Sequence, residues 1–360
     1  MPQYYDAHLR HARYYRSLLH RIDELYRNAN DSDQTWSELL DTEWNNIEVG
    51  QAWVAANANH NKDAAEVCSR YYSTAINLLY VRQAAQDSVI WGQAAVASAR
   101  RLNRPKAEGT HLSMLGLAHA ALGEAQAAIV CYEQRLTIAR ELGDKEAESL
   151  TLTNLGSVCG DLGDHKRAIE LHKESLRLSR EIGDRLLESR ALAHLGNQLR
   201  QLGNNERAIQ THEESLNIAR QIGDRLGEGR SLGNMANVYF YLGETERAAQ
   251  LYNKWLFIAR EIGDRRGEAS AIGNLGAAYA VLGQPEGALD CYRDQLKLSR
   301  EVGDRWGEGT ALFNMSLSLY RLGLRDEAIK YSRNALKVRE KIKDPRASKV
   351  RDKLAEWLEL

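Results

Sequence analysis

The sequence predicts an all-α protein, a solenoid of antiparallel helix pairs, and three observations carry that prediction. Gly123, Gly163, Gly203, Gly243, Gly283 and Gly323 recur every forty residues, each after a Leu. Ala128, Ala168, Ala208, Ala248, Ala288 and Ala328 follow five residues later. Leu136, Leu176, Leu216, Leu256, Leu296 and Leu336 keep the same phase, as do Asp144, Asp184, Asp224, Asp264, Asp304 and Asp344. Within each unit, apolar residues recur at three- and four-residue spacing in two separate runs, the period of helices and not of strands. A fixed period of this length marks stacked repeats, in which neither helix of a unit can bury its apolar stripe alone.

Taken in order, residues 1–61 form an N-terminal helical segment, with the runs RHARYYRSLLHRI and WSELLDTEWNNIEVGQAWV. Residues 62–104 read as a degenerate unit: Ala99, Arg100 and Leu102 fall in the columns of Ala139, Arg140 and Leu142, but the Gly punctuation is lost. Residues 105–344 hold six forty-residue units. In the unit containing GEGRSLGNMANVYFY, Leu232, Met235, Val238 and Tyr239 form the apolar stripe of the first helix. Leu242-Gly243 ends it, because Gly accepts the left-handed conformation of a helix C-terminus. Ala248, Leu251, Tyr252, Trp255, Leu256 and Ile258 form the buried side of the second helix, closed by Ile262-Gly263-Asp264. Asp264 is placed to cap the following helix, and Glu268 lies in its first turn, where the helix dipole favours an anion. Gly116, Gly156, Gly196, Ala236, Gly276 and Ser316 make a small-residue column in the first helices, which allows close approach of the second. Residues 345–360, opened by Asp344-Pro345, read as a polar capping helix.

The pattern resembles the tetratricopeptide repeat, with Leu275, Gly276, Tyr279, Ala288 and Tyr292 of the fifth unit matching its motif. That resemblance implies a right-handed superhelix whose first helices line a concave groove. Two departures stand out: the unit is longer than the family's usual one, and Arg140, Arg180, Arg220, Arg260 and Arg300 occupy the column where the family places Pro. The longer unit resembles the repeats of Pins-type adaptors and of many bacterial signalling proteins. In the N-terminal segment, Trp36, Leu40, Glu43, Asn46, Ile47, Ala52 and Trp53 resemble the helical region preceding such arrays in STAND-type regulators.

A formal charge of −1 gives no global drive toward nucleic acid or an anionic membrane, and no apolar run reaches the length of a membrane span. The N-terminus lacks the pattern of a secretory signal. Cys68, Cys131, Cys159 and Cys291 form no CxxC pair, which points to a reduced, cytoplasmic environment. No GxxxxGK[ST] loop, HExxH or GxSxG motif is present, so neither an enzyme nor a cofactor is expected. His8 and His11 share a helix face but make only two of the ligands a metal site requires. His172 and His212 stand in the column of Tyr132, Tyr252 and Tyr292 and are expected to pack. Trp306 and the Tyr71-Tyr72 pair are open between core and surface.

The functional expectation rests on the first helices. The resemblance places Asn154, Asn234, Asn274 and Asn314 in one groove-facing column, with His194 in the same column of another unit. Asn197 and Asn237 lie one turn later, and Arg190 and Arg230 one turn earlier. Arg200, Phe240, Tyr241, Tyr320 and Arg321 lie toward the helix ends. A carboxamide can donate to a peptide C=O and accept from its N–H, and Arg can hold a carboxylate at two points. The expectation is a protein-interaction scaffold that binds an extended, acidic peptide or domain and serves as the sensing or recruiting part of a signalling regulator. The alternatives are a Pins-like adaptor bridging two proteins and a small-molecule-sensing receptor. Homo-oligomerisation stays open, and the Asn column has a purely architectural reading, bridging neighbouring helices.

Overall fold

The computed structural model describes residues 2–28, 35–82, 84–342 and 344–359, and among them every regular element is a helix. The chain divides into two compact units, Met1–Ile182 and Gly183–Leu360. The first holds α1 (Pro2–Asn28), α2 (Thr35–Asn57), α3 (Lys62–Val81), α4 (Ala85–Arg101), α5 (Pro105–Ala121), α6 (Ala125–Glu141), α7 (Lys145–Asp161) and α8 (His165–Ile182). The second holds α9 (Arg185–Gln201), α10 (Asn205–Gln221), α11 (Arg225–Tyr241), α12 (Thr245–Glu261), α13 (Arg265–Val281), α14 (Pro285–Glu301), α15 (Arg305–Arg321), α16 (Arg325–Lys341) and α17 (Ala347–Glu359). Within each unit successive helices pack on one another, giving the all-α solenoid of helix pairs that the repeat requires.

The punctuation has a direct physical cause. Gly243 adopts φ +82°, and the turn closes with Glu244 N–H donating to the Tyr239 carbonyl at 2.9 Å, satisfying a carbonyl the helix leaves open. In the degenerate unit, Asn103 takes the same left-handed conformation at φ +51°, as Asn does more readily than most side chains. The Asp column caps the first helices: the side chains of Asp144, Asp184, Asp224, Asp264 and Asp304 accept from the amides of Ala147, Leu187, Gly227, Gly267 and Gly307 at 2.9–3.0 Å.

The Arg column that replaces Pro meets the Glu of the next helix's first turn. Nε of Arg140, Arg220, Arg260 and Arg300 donates to Glu148, Glu228, Glu268 and Glu308 at 2.7–2.8 Å. Arg265 and Arg305 supply a second guanidinium to Glu268 and Glu308. Burial pushes the carboxyls of Glu228, Glu268 and Glu308 up, but their two arginines more than offset it and hold all three below the usual value. Each of these four joints thus clamps the end of one pair to the start of the next.

The small-residue column receives the rings of the second helices. A methyl added at Gly116 would lie 2.7 Å from the Tyr132 ring, and one at Gly196 2.6 Å from His212. His172 and His212 are fully buried, in keeping with a packing role. Burial first, then Arg200, pushes His212 down to about 4, so its ring is neutral at neutral pH.

In the first unit, Leu19, Ile22, Leu40 and Ile47 are buried with Tyr71 and Tyr72 in one core, and the Tyr71 hydroxyl donates to the Ile47 carbonyl at 3.2 Å. His8 stacks on Trp53 and His11 lies against Tyr15. At the other end, α17 begins at Ala347 rather than directly after Pro345, because Asp344 accepts from the Arg346 amide and from the Arg339 and Arg346 guanidiniums. Its expected polar character holds on one side only: Val350, Leu354 and Trp357 are buried. Trp306 is 55% exposed, with the Arg346 guanidinium over its ring.

Candidate functional site

On α9, the spacing of Arg190, His194 and Asn197 puts all three on one helix face, and Arg230, Asn234 and Asn237 repeat the arrangement on α11. These six residues line a single cavity of about 350 Å³. The hollow exists because the residues behind them are small. Ser189, Ser215 and Ser231 meet there, with Ser215 Oγ 3.1 Å from Ser189 Oγ and 3.0 Å from Ser231 Oγ, so the buried hydroxyls satisfy one another. Ala193 and Gly233 complete the recess. Asp224 and Leu226 stand at one wall, the Asp224 carboxylate already engaged by the Gly227 amide.

A further wall is Trp255, from the second helix of its pair. Its indole lies against two glycines of α11: a methyl at Gly233 would come within 2.6 Å of the ring, and one at Gly229 within 2.9 Å. Sequence reasoning assigned Trp255 to the core. The pair of glycines opposite it, where other units carry Ser, Thr, Ala or Phe at one position or both, is the signal that it reaches through.

The cavity carries two guanidiniums, Arg190 and Arg230, around a half-buried imidazole. Burial first, then Arg230 and Arg190, lowers the pKa of His194, so the ring is neutral at pH 7. A positively charged, partly desolvated recess of this kind can hold a carboxylate, and the Asn234 carboxamide at its wall is a group able to pair with a peptide backbone.

The other residues of the predicted groove are placed differently. Asn237 also serves the scaffold, its Oδ1 accepting from the Tyr252 hydroxyl at 2.7 Å and from Asn274 at 3.4 Å. Asn274 therefore links α13 to α11, as the architectural reading of the Asn column expects. Phe240 packs into the α11–α12 core, and Tyr241 is 68% exposed outside the cavity. Arg200 lies within electrostatic reach of His212 and Tyr252. Asn314 lines a second cavity, about 580 Å³, between α15 and α17. Tyr320 is stacked on Trp357 at 4.4 Å between ring centroids, and Arg321 donates to the Ala280 carbonyl at 3.0 Å. Asn154 is half-buried on α7 of the first unit. Among the described residues no cluster of three or more His, Cys, Asp or Glu could hold a metal, and no helix is long and apolar enough to cross a membrane. All four cysteines are free thiols.

Known proteins share this architecture. The apo form of the quorum sensor NprR from B. thuringiensis aligns with a TM-score of 0.62 at 15% identity, over 84% of this chain and 85% of that one. A Rap protein complexed with competence and sporulation factor aligns at 0.61 and 14% identity, over 89% and 97%. The STAND protein with a tetratricopeptide repeat sensor from Pyrococcus horikoshii aligns at 0.58 and 17% identity, over 84% of this chain and 44% of that one. At these identities the likeness is one of fold. No curated protein matches the chain in sequence. The tetratricopeptide repeat model, however, matches residues 107–181, 187–261 and 267–356. With most of its length covered by those three blocks, the chain belongs to the tetratricopeptide repeat family.

Proposed function

We propose that the second unit is a recognition module for an extended, acidic segment of a partner protein, and that the chain serves as the sensing or recruiting part of a cytoplasmic signalling regulator. The observation that carries the reading is the convergence of Arg190, His194, Asn197, Arg230, Asn234 and Asn237 on one cavity. Two guanidiniums line it, and the acid in its wall, Asp224, is held as a helix cap. In the same reading, residues 1–61 precede a degenerate unit at 62–104, six units fill 105–344, and 345–360 cap the array. The signalling role draws support from the fold's use in a quorum sensor, in a Rap protein complexed with competence and sporulation factor, and as the sensor of a STAND protein.

The test is affinity capture from the source organism's lysate, read by mass spectrometry, against an Arg190→Ala/Arg230→Ala/Asn234→Ala variant shown by circular dichroism to be folded. A partner enriched by the wild type and lost by the variant supports the reading. Equal enrichment by both removes the cavity from the interaction.

A further inference from the structure

One column of the second helices, formed by Arg135, Ser175, Ser215, Trp255, Gln295 and Ala335, takes a different residue in almost every unit. Where it is long, the facing first helix supplies glycine. A methyl at Gly109 would lie 2.4 Å from Arg135 Nη1, one at Gly273 2.4 Å from Gln295 Nε2, and one at Gly233 2.6 Å from the Trp255 indole. Where it is Ser, a facing hydroxyl bonds to it, as Ser149 and Thr153 do with Ser175 and Ser189 with Ser215. The glycines are notches that receive a second-helix side chain against the first helix. Trp255 has two of them, Gly229 and Gly233, and only through this double notch does its ring reach the wall of the cavity.

The column also explains why the cavity lies between α9 and α11. Ser215 is short and leaves the recess, while Trp255, the next residue of the column, closes it. The indole is half-buried, so part of its surface faces the hollow. An indole attracts either cations or apolar and aromatic groups. Arg190 and Arg230 decide between them, because a cationic ligand group would be repelled by both. A volume of about 350 Å³ lies near the lower end of small-ligand pockets, enough for one or two side chains rather than a peptide segment.

We infer that Trp255 is the specificity-determining residue of this site, seating a bulky apolar side chain that lies next to the carboxylate held by Arg190 and Arg230. The inference rests on the acidic-peptide reading above and narrows it to a carboxylate with an adjacent large apolar group. The carboxylate can belong to an acidic side chain or to the C-terminus of the bound chain.

Two sets of probe peptides test it by titration calorimetry. The first is acetylated, amidated glycine hexapeptides with a central glutamate followed by phenylalanine, leucine or serine. The second lacks glutamate and ends in a free carboxylate at phenylalanine or serine. In at least one set, the wild type is expected to bind the phenylalanine peptide about tenfold more tightly than the serine peptide. The set showing the effect identifies the source of the carboxylate. Trp255→Gln, which installs the residue of the following unit, is expected to abolish the preference between the phenylalanine and serine peptides. A preference that survives Trp255→Gln in full overturns the inference.

A measurement on the wild type guards against misfolding of that variant. In protein labelled with 5-fluorotryptophan, the Trp255 resonance, assigned by its loss in Trp255→Phe, is expected to shift with the phenylalanine peptide. Binding without that shift overturns the inference. If phenylalanine and serine peptides bind equally, and Arg190→Gln/Arg230→Gln loses both, the role of Trp255 fails while the acidic-peptide reading stands. Binding of neither set by the wild type, or binding unchanged by the double arginine substitution, removes the acidic-peptide reading and this inference with it.

Discussion

Replacing His212 with Tyr inserts the residue found in the same column at Tyr132, Tyr252 and Tyr292, opposite a glycine that already accepts a ring. The substitution should remove a titration that the wild type cannot avoid. His212 is fully buried, and burial, then Arg200, holds its pKa at about 4, against 6.5 when exposed. Its ring nitrogens have no hydrogen-bond partner among the described residues. Above pH 6.5 the ring is neutral in both folded and unfolded chains. As pH falls from 6.5 toward 4, only the unfolded chain binds the proton, so stability is lost across that window. At about 1.4 kcal/mol per pH unit, the loss is about 2 kcal/mol at pH 5 and about 3 kcal/mol at pH 4. Tyr carries no charge in this range, and its hydroxyl is expected to reach Asn197 as that of Tyr252 reaches Asn237. Urea denaturation followed by circular dichroism at pH 7, 6, 5 and 4 measures the difference between the two proteins, in which all other titrations cancel. A difference that grows by about 2 kcal/mol between pH 7 and pH 5 is expected. One that stays constant with pH would refute the assignment of a neutral, desolvated His212.

Three further outcomes rest on the same structure. Glu268→Gln removes the charge from a joint held by Arg260 and Arg265 and should cost about 1–2 kcal/mol at pH 7. Because the folded pKa is depressed, that cost should fade as pH drops below 4.5, whereas Arg265→Gln, at an exposed partner, should cost under about 0.5 kcal/mol; urea denaturation of both variants across this range measures the two effects. Trp357→Ala empties the space of a fully buried indole stacked on Tyr320 and should cost about 3–5 kcal/mol in a denaturation experiment. Affinity for an acidic peptide at the α9–α11 cavity should rise as pH falls through the lowered pKa of His194, since a bound carboxylate favours the protonated ring. Titration calorimetry should show that dependence lost in His194→Asn, which carries the residue of the neighbouring units.

The regular part of this fold was legible in single residues. Gly243 and its counterparts marked where helices end, and Asp224 and its counterparts where they begin, because left-handed turns and side-chain caps admit few residue types. The Arg column was visible only as a departure from the family. Its partner, eight residues on, lies across a turn from it, where helical periodicity says nothing about proximity. The candidate site was legible where the repeat is uninterrupted, on α9 and α11. It was not legible at α15, because groove columns transferred from repeat to repeat carry no information about the structure beyond the last full unit. There α17 takes the place of a further pair, and Trp357 covers Tyr320. Nor did the column distinguish Asn234, on the cavity wall, from Asn274, which is spent on Asn237.

The glycine notches have a consequence for how such an array diversifies. Ligand choice need not be written only on the first helix of each pair; a second-helix residue and the glycine opposite it form a two-part cassette. Gly109 with Arg135, Gly233 with Trp255 and Gly273 with Gln295 are three versions on one backbone; the Gln295 amide stays buried, and the Trp255 ring reaches a cavity. Exchanging a cassette between repeats changes the side chain packed against the first helix and leaves caps, joints and ring column untouched. The repeat is thereby a format whose selectivity can be rewritten from behind.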